Sequence, residues 1–120
     1  MKVRLNIGLD YQGQVYRDCA VNLLTMGGQC LAQEMIADLG IDENSETLSQ
    51  REQTLVDMAY LSQQVVIDGI DKAEVTAEFL FKHLVTDDYW QLIEATLALR
   101  KKRLENGVNH SENPSPTNQS

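Results

Sequence analysis

Basic side chains are in short supply. Ten Lys and Arg stand against 18 Asp and Glu, for a formal net charge of −8. Such a balance repels phosphate backbones and anionic lipid, which argues against nucleic acid or membrane surfaces as partners. Cysteine is equally scarce. Cys19 and Cys30 are too few for a disulfide framework, and the plain reading is two buried thiols in a reducing compartment. A single bridge is the alternative; metal ligation lacks the spaced His/Cys partners it needs. Long apolar runs are missing too. Nothing approaches the roughly 18 residues of a membrane span. The opening MKVRLNIGLDY alternates instead of forming the continuous apolar core of a signal peptide. The expectation is a cytoplasmic protein.

The chemistry-bearing patterns are absent as well. The two histidines are His83, in a helical stretch, and His110, near the chain end. Neither has the base-and-orienting-group company that nucleophilic catalysis requires. No H-E-x-x-H, G-x-S-x-G or phosphate-loop pattern occurs, and Gly27-Gly28 is followed by no Lys. Asp42, Glu43 and Glu46 lack the alternating ligands and central Gly of a calcium loop. Asp87 and Asp88 fall in a first helical turn, where carboxylates complement the helix dipole. The reading is a non-enzymatic domain with no cofactor and no metal.

What is present is a folding pattern. A chain of 120 residues fits one domain, here 1–106, followed by a polar, Pro-containing tail over 107–120 that reads as disordered. Val3, Leu5, Ile7 and Leu9 alternate with polar residues and predict a strand with one buried face. Gln12-Gly13 turns the chain into a second strand, with Val15, Arg17, Cys19 and Val21 on one face. Thr25 caps a helix to about Leu39, with Leu31, Met35 and Leu39 as its inward row and Gly40 as its stop. Ser49 and Glu52 form a capping box opening a second helix to about Asp68. Its core stripe is Leu55, Met58, Ala59, Ser62, Val65 and Val66. Asp71 or Thr76 caps a short third helix, and Thr86 opens a fourth that Asn106-Gly107 ends. Tyr89, Leu92, Ile93, Thr96, Leu97 and Leu99 are its expected inward face. The predicted class is α+β, an N-terminal β-hairpin packed against about four α-helices.

Some apolar residues exceed what this core needs. Val56, Tyr60 and Ile67 fall on a second face of helix two, roughly 120° from the first. They read either as a broad buried face or as a partner-binding or self-association stripe. Trp90 sits at the edge of helix four's core face, as a core lid or an interface anchor. Phe79 and Phe81 lie on opposite sides of a short helix, which exposes one of them. Val56, Tyr60, Ile67, Phe81 and Trp90 are therefore the candidate partner-binding residues.

The order of these elements resembles a known family. A strand pair with a central Gly leads into Leu24-Thr25-Met26. Asp68-Gly69-Ile70 breaks the chain, Thr76 to Leu80 reads Thr-x-Glu-Phe-Leu, and Leu84-Val85-Thr86-Asp87-Asp88-Tyr89 opens a Leu-rich helix ending in Arg100, Lys101, Lys102 and Arg103. This is similar to the tail assembly chaperones of long-tailed bacteriophages, particularly the Mu-like prophage type, over most of residues 1–105. The family has no catalytic motif to transfer. The resemblance implies a protein that binds the helical tape-measure protein, with tail-tube subunits as a second candidate client, in the host cytoplasm and is missing from the finished virion. It also implies frequent production in two lengths by a ribosomal frameshift, with which the polar tail from Val108 is compatible. The competing expectation is a structural tail protein, of the tube or a completion piece, that self-associates.

Overall fold

The structure is a computed structural model that describes residues 1–112, with side chains as far as Gly107. It is an α+β fold. β1 (Lys2–Tyr11) and β2 (Gln14–Val21) form the expected hairpin, closed by a two-residue turn. Gln12 and Gly13 both have positive φ, 50° and 78°, as a type I′ turn requires. α1 (Met26–Asp38), α2 (Gln50–Ser62), β3 (Val65–Ile67), α3 (Ala77–His83) and α4 (Thr86–Glu112) follow. A 3₁₀ turn over Lys72–Glu74, capped by Asp71, precedes α3.

The caps fall where local chemistry places them. Thr25 Oγ1 accepts from the Gly28 amide at 3.0 Å. Ser49 and Glu52 make both bonds of a capping box, at 3.1 and 2.9 Å. Thr76 accepts from the Phe79 amide. α1 ends in a Schellman motif, with Gly40 (φ 76°) donating to the Ala37 carbonyl and Ile41 to that of Ile36.

Helix two is shorter than its periodicity predicts. It stops at Ser62, and Val65–Ile67 become a third strand, antiparallel to β2, with Cys19 opposite Ile67 and Val21 opposite Val65. The sheet order is β1-β2-β3. A β-branched run suits a pleated surface better than a helix interior, and β2 supplies the ladder. Val65 and Ile67 therefore point inward, whereas Val66, expected in the core, is exposed.

β1 is broken in the middle. Arg4 pairs with Asp18, but the next pair is Leu9 with Tyr16, so residues 5–8 of β1 face only Arg17 on β2. This bulge switches the inward parity of β2 between Tyr16 and Cys19. Cys19 and Val21 are buried, Tyr16 packs against the core, and Val15 is exposed, contrary to the one-face pattern. Ile7 also turns outward. In α1 the buried residues are Ala32 and Ile36, with Met35 and Leu39 beside them, while Leu31 is exposed.

One contiguous core joins Leu5, Leu9 and Val21 of the sheet to Ile36, Ala59, Leu80 and Leu92 of the helices. α2 packs between α1 and α3, and α4 lies against β1. Asn106-Gly107 does not end α4, which runs through both to Glu112. A helix-interior glycine costs about 1 kcal/mol but does not forbid the helix. The expected disordered tail is thus helical over 107–112, and 113–120 lie outside the described residues.

Candidate functional site

The five candidate residues divide into two groups. Val56 and Ile67 are core, 6% and 2% exposed. Tyr60 is half-buried, and its hydroxyl donates to Glu43 Oε1 at 2.7 Å, tying α2 to the acidic loop before it. The second stripe on helix two does not exist, because α2 ends before Ile67 and buries Val56. Phe81 and Trp90, by contrast, come together. They line one groove of about 470 Å³ between α2, α3 and the start of α4, with Met58 and Leu84 among its apolar walls and Asp57 on its rim.

Each aromatic is held from one side. Arg51 of α2 lies over the Phe81 ring of α3, its Cζ 4.8 Å from the centroid, a cation–π contact between the two helices. Trp90 meets the Tyr89 ring edge-on, at 5.0 Å and 69°. Burial of Tyr89 pushes its phenol above the ordinary 10.0, and the Asp57 charge adds to the shift. Trp90 itself is 62% exposed, so it is neither a core lid nor a satisfied aromatic.

Trp90 opens a longer track. Leu97 and Leu104 follow it at intervals of seven residues and are 57% and 64% exposed. At ~100° per residue the three stay within roughly 40° of each other. Ile93, half-buried, lies beside them. The core-facing residues of α4, Leu92 and Leu99, lie roughly 150° round the helix from this track. Every residue from Arg100 to Gly107 is exposed, so the helix stands clear of the body over that stretch. Leu97, expected inside, is thus outside, and the period-seven spacing of Trp90, Leu97 and Leu104 was the sequence signal for it.

Two side chains anchor α4: Asp88, expected only to complement the helix dipole, and Gln91. Asp88 is fully buried and accepts from the amides of Ile7 and Gly8, at 3.0 and 2.7 Å, inside the β1 bulge. Gln91 accepts from the Asn6 amide at 2.9 Å and donates to the Arg4 carbonyl at 2.7 Å. These two side chains satisfy backbone groups of β1 that β2 does not pair, and they cover the sheet edge. The apolar track is therefore held rigidly relative to the hairpin at its Trp90 end.

The polar groups elsewhere serve the fold. His83 Nδ1 lies 2.8 Å from the Asp10 carbonyl, with its ring against Tyr11 and Phe79. The Lys72 ammonium donates to the carbonyls of Ser62 and Val65 where α2 gives way to β3, and burial lowers its pKa. Both cysteines are free; Cys19 is buried, but Cys30 is exposed, not buried as expected. Among the described residues, no group of three or more His, Cys, Asp or Glu is placed to hold a metal, and no helix is long and apolar enough to cross a membrane. No family profile, curated protein or solved structure matches the chain.

Proposed function

We propose that this protein is a tail assembly chaperone of a long-tailed bacteriophage, of the Mu-like prophage type. It has a binding role and no catalytic one. In the host cytoplasm it holds an amphipathic helix of the tape-measure protein, and it leaves before the virion is complete. The observation that carries the reading is the rigidly anchored, unpartnered apolar track from the Phe81–Trp90 groove along α4. A helix laid along such a surface buries anchors at i, i+3, i+7 spacing and keeps its own apolar face out of water. The ordered motifs from Leu24-Thr25-Met26 to Thr86-Asp87-Asp88 supply the family.

The test is co-expression with the tape-measure protein encoded beside this gene. The expected result is a soluble complex that Trp90→Glu abolishes, with mass spectrometry finding the client but not this chain in purified virions. Failure to form a complex or to raise client solubility would sink the proposal. Presence of the chain in virions would favour the structural tail protein instead.

A further inference from the structure

The same track has an internal symmetry that the client does not explain. Trp90 and Leu104 stand seven residues either side of Leu97. At 1.5 Å per residue that is roughly 10 Å each way. A two-fold axis through Leu97, perpendicular to the helix, lays Trp90 on Leu104 of a second copy and Leu97 on its own copy. It also brings Ile93 against the alkyl stem of the second copy's Arg100.

The charges select this direction. Asp87 and Glu94 lie toward the start of the track; Arg100, Lys101, Lys102 and Arg103 lie toward its end. Glu94 and Lys101 share one flank of the stripe, and the antiparallel arrangement brings each beside the other's copy, twice per pair. A parallel arrangement instead stacks the four basic residues on their own copies, which is repulsive. The helix macrodipoles also oppose one another favourably only in the antiparallel case. Both domain bodies lie on the far sides of their helices, since Leu92 and Leu99 face away from the track.

We infer that two copies of this chain pair through α4, antiparallel about Leu97, and that pairing covers the track until a client helix displaces it. Leu104 of the second copy then lies over Trp90 at the mouth of the groove, so self-pairing and client capture are mutually exclusive. The pairing does not depend on the client being a tape-measure protein.

Sedimentation equilibrium of the full chain tests it. The expected mass is twice 13.5 kDa. Leu97→Glu, which sets two carboxylates face to face on the axis, should weaken pairing at least about tenfold, which corresponds to 1.4 kcal/mol. Glu94→Lys and Lys101→Glu should each weaken it, and the two together should restore it. With Cys30 replaced by Ser, Leu97→Cys should cross-link to its own copy on oxidation while Leu104→Cys should not. A mass of 13.5 kDa at every loading concentration overturns the inference. So does equal cross-linking at 97 and 104, which would mean parallel helices. A monomer that still captures the tape-measure protein removes the pairing and leaves the proposed function standing; a dimer that captures nothing does the reverse.

Discussion

Asp88 and Gly8, eighty residues apart, meet at 2.7 Å, where the buried carboxylate accepts the Gly8 amide inside the β1 bulge. The other carboxylate oxygen takes the neighbouring Ile7 amide. Gly8 has φ 98°, and a Cβ there would lie 2.6 Å from Val15 Cγ1. The bulge thus depends on a residue without a side chain and on an anion delivered by a distant helix. Asp88→Asn turns one acceptor into a donor facing an amide and should cost about 1–3 kcal/mol. Gly8→Ala should cost a similar amount or more, through both strain and overlap. Asp87→Asn, on the exposed neighbour, should change stability by less than ~0.5 kcal/mol. Urea denaturation of the three variants checks the ranking.

The two thiols should behave differently. Burial pushes the Cys19 thiol up from 9.0 to about 11, and nearby Asp68 and Asp18 add to the shift; Cys30 is exposed. Under native conditions at pH 8 an aryl disulfide reagent should label one thiol rapidly, and Cys30→Ser should remove that phase. Between about 9 and about 11 the unfolded chain has released the Cys19 proton while the folded chain keeps it. The unfolded state binds fewer protons there, so stability falls as pH rises through this window. Tyr11, Tyr60 and Tyr89, all held above 10.0, act in the same direction at its upper end. Cys19→Val should therefore lose less stability than the parent chain between pH 8.5 and 10.5, a difference that denaturation at the two pH values measures.

The capping box at α2 offers a local test. Ser49→Ala removes the acceptor for the Glu52 amide and leaves that donor to solvent. The expected cost is about 1 kcal/mol. Glu52→Ala should cost less, because it frees only the Ser49 amide and one first-turn carboxylate. Thermal melts of both variants decide whether α2 is held mainly by its cap or by Leu55, Met58 and Ala59 against the core.

Which features were legible in the sequence follows from how local their causes are. The hairpin turn at Gln12-Gly13, the caps at Thr25, Ser49 and Thr76, and the stop at Gly40 each rest on residues within a few positions of one another. β3 was hidden because Val65-Val66-Ile67 continues the apolar periodicity of α2, while its ladder partners are Cys19 to Val21. Only the β-branched run between Gln63-Gln64 and Asp68-Gly69 hinted at it. The bulge was hidden because Asp88 and Gln91 create it from another element; a glycine inside an alternating strand was its one local mark. Two of the five candidate residues, Val56 and Ile67, are buried for the same kind of reason, contacts made by distant elements. Ile67 is spare only on a helix extended past its end, whereas Val56 lies within α2 and is covered there.

That division yields the sharpest prediction about the site. Val56→Ala and Ile67→Ala empty space in a packed core and should cost about 1–4 kcal/mol each. Any loss of client binding in those variants should follow from unfolding and vanish when binding is scaled to folded protein. Trp90→Ala should leave the denaturation midpoint nearly unchanged, since the ring is 62% exposed and its main neighbour is Tyr89. It should nevertheless lower capture of a helical client by about tenfold or more, as expected of a tryptophan anchor truncated at an interface. Phe81→Ala sits between these cases: it should lose both some stability, through its packing against the core and under Arg51, and part of the binding. Measuring midpoint and capture on the same four variants separates a groove-centred site from a general loss of folded protein, because only the groove predicts that the two quantities part company at Trp90.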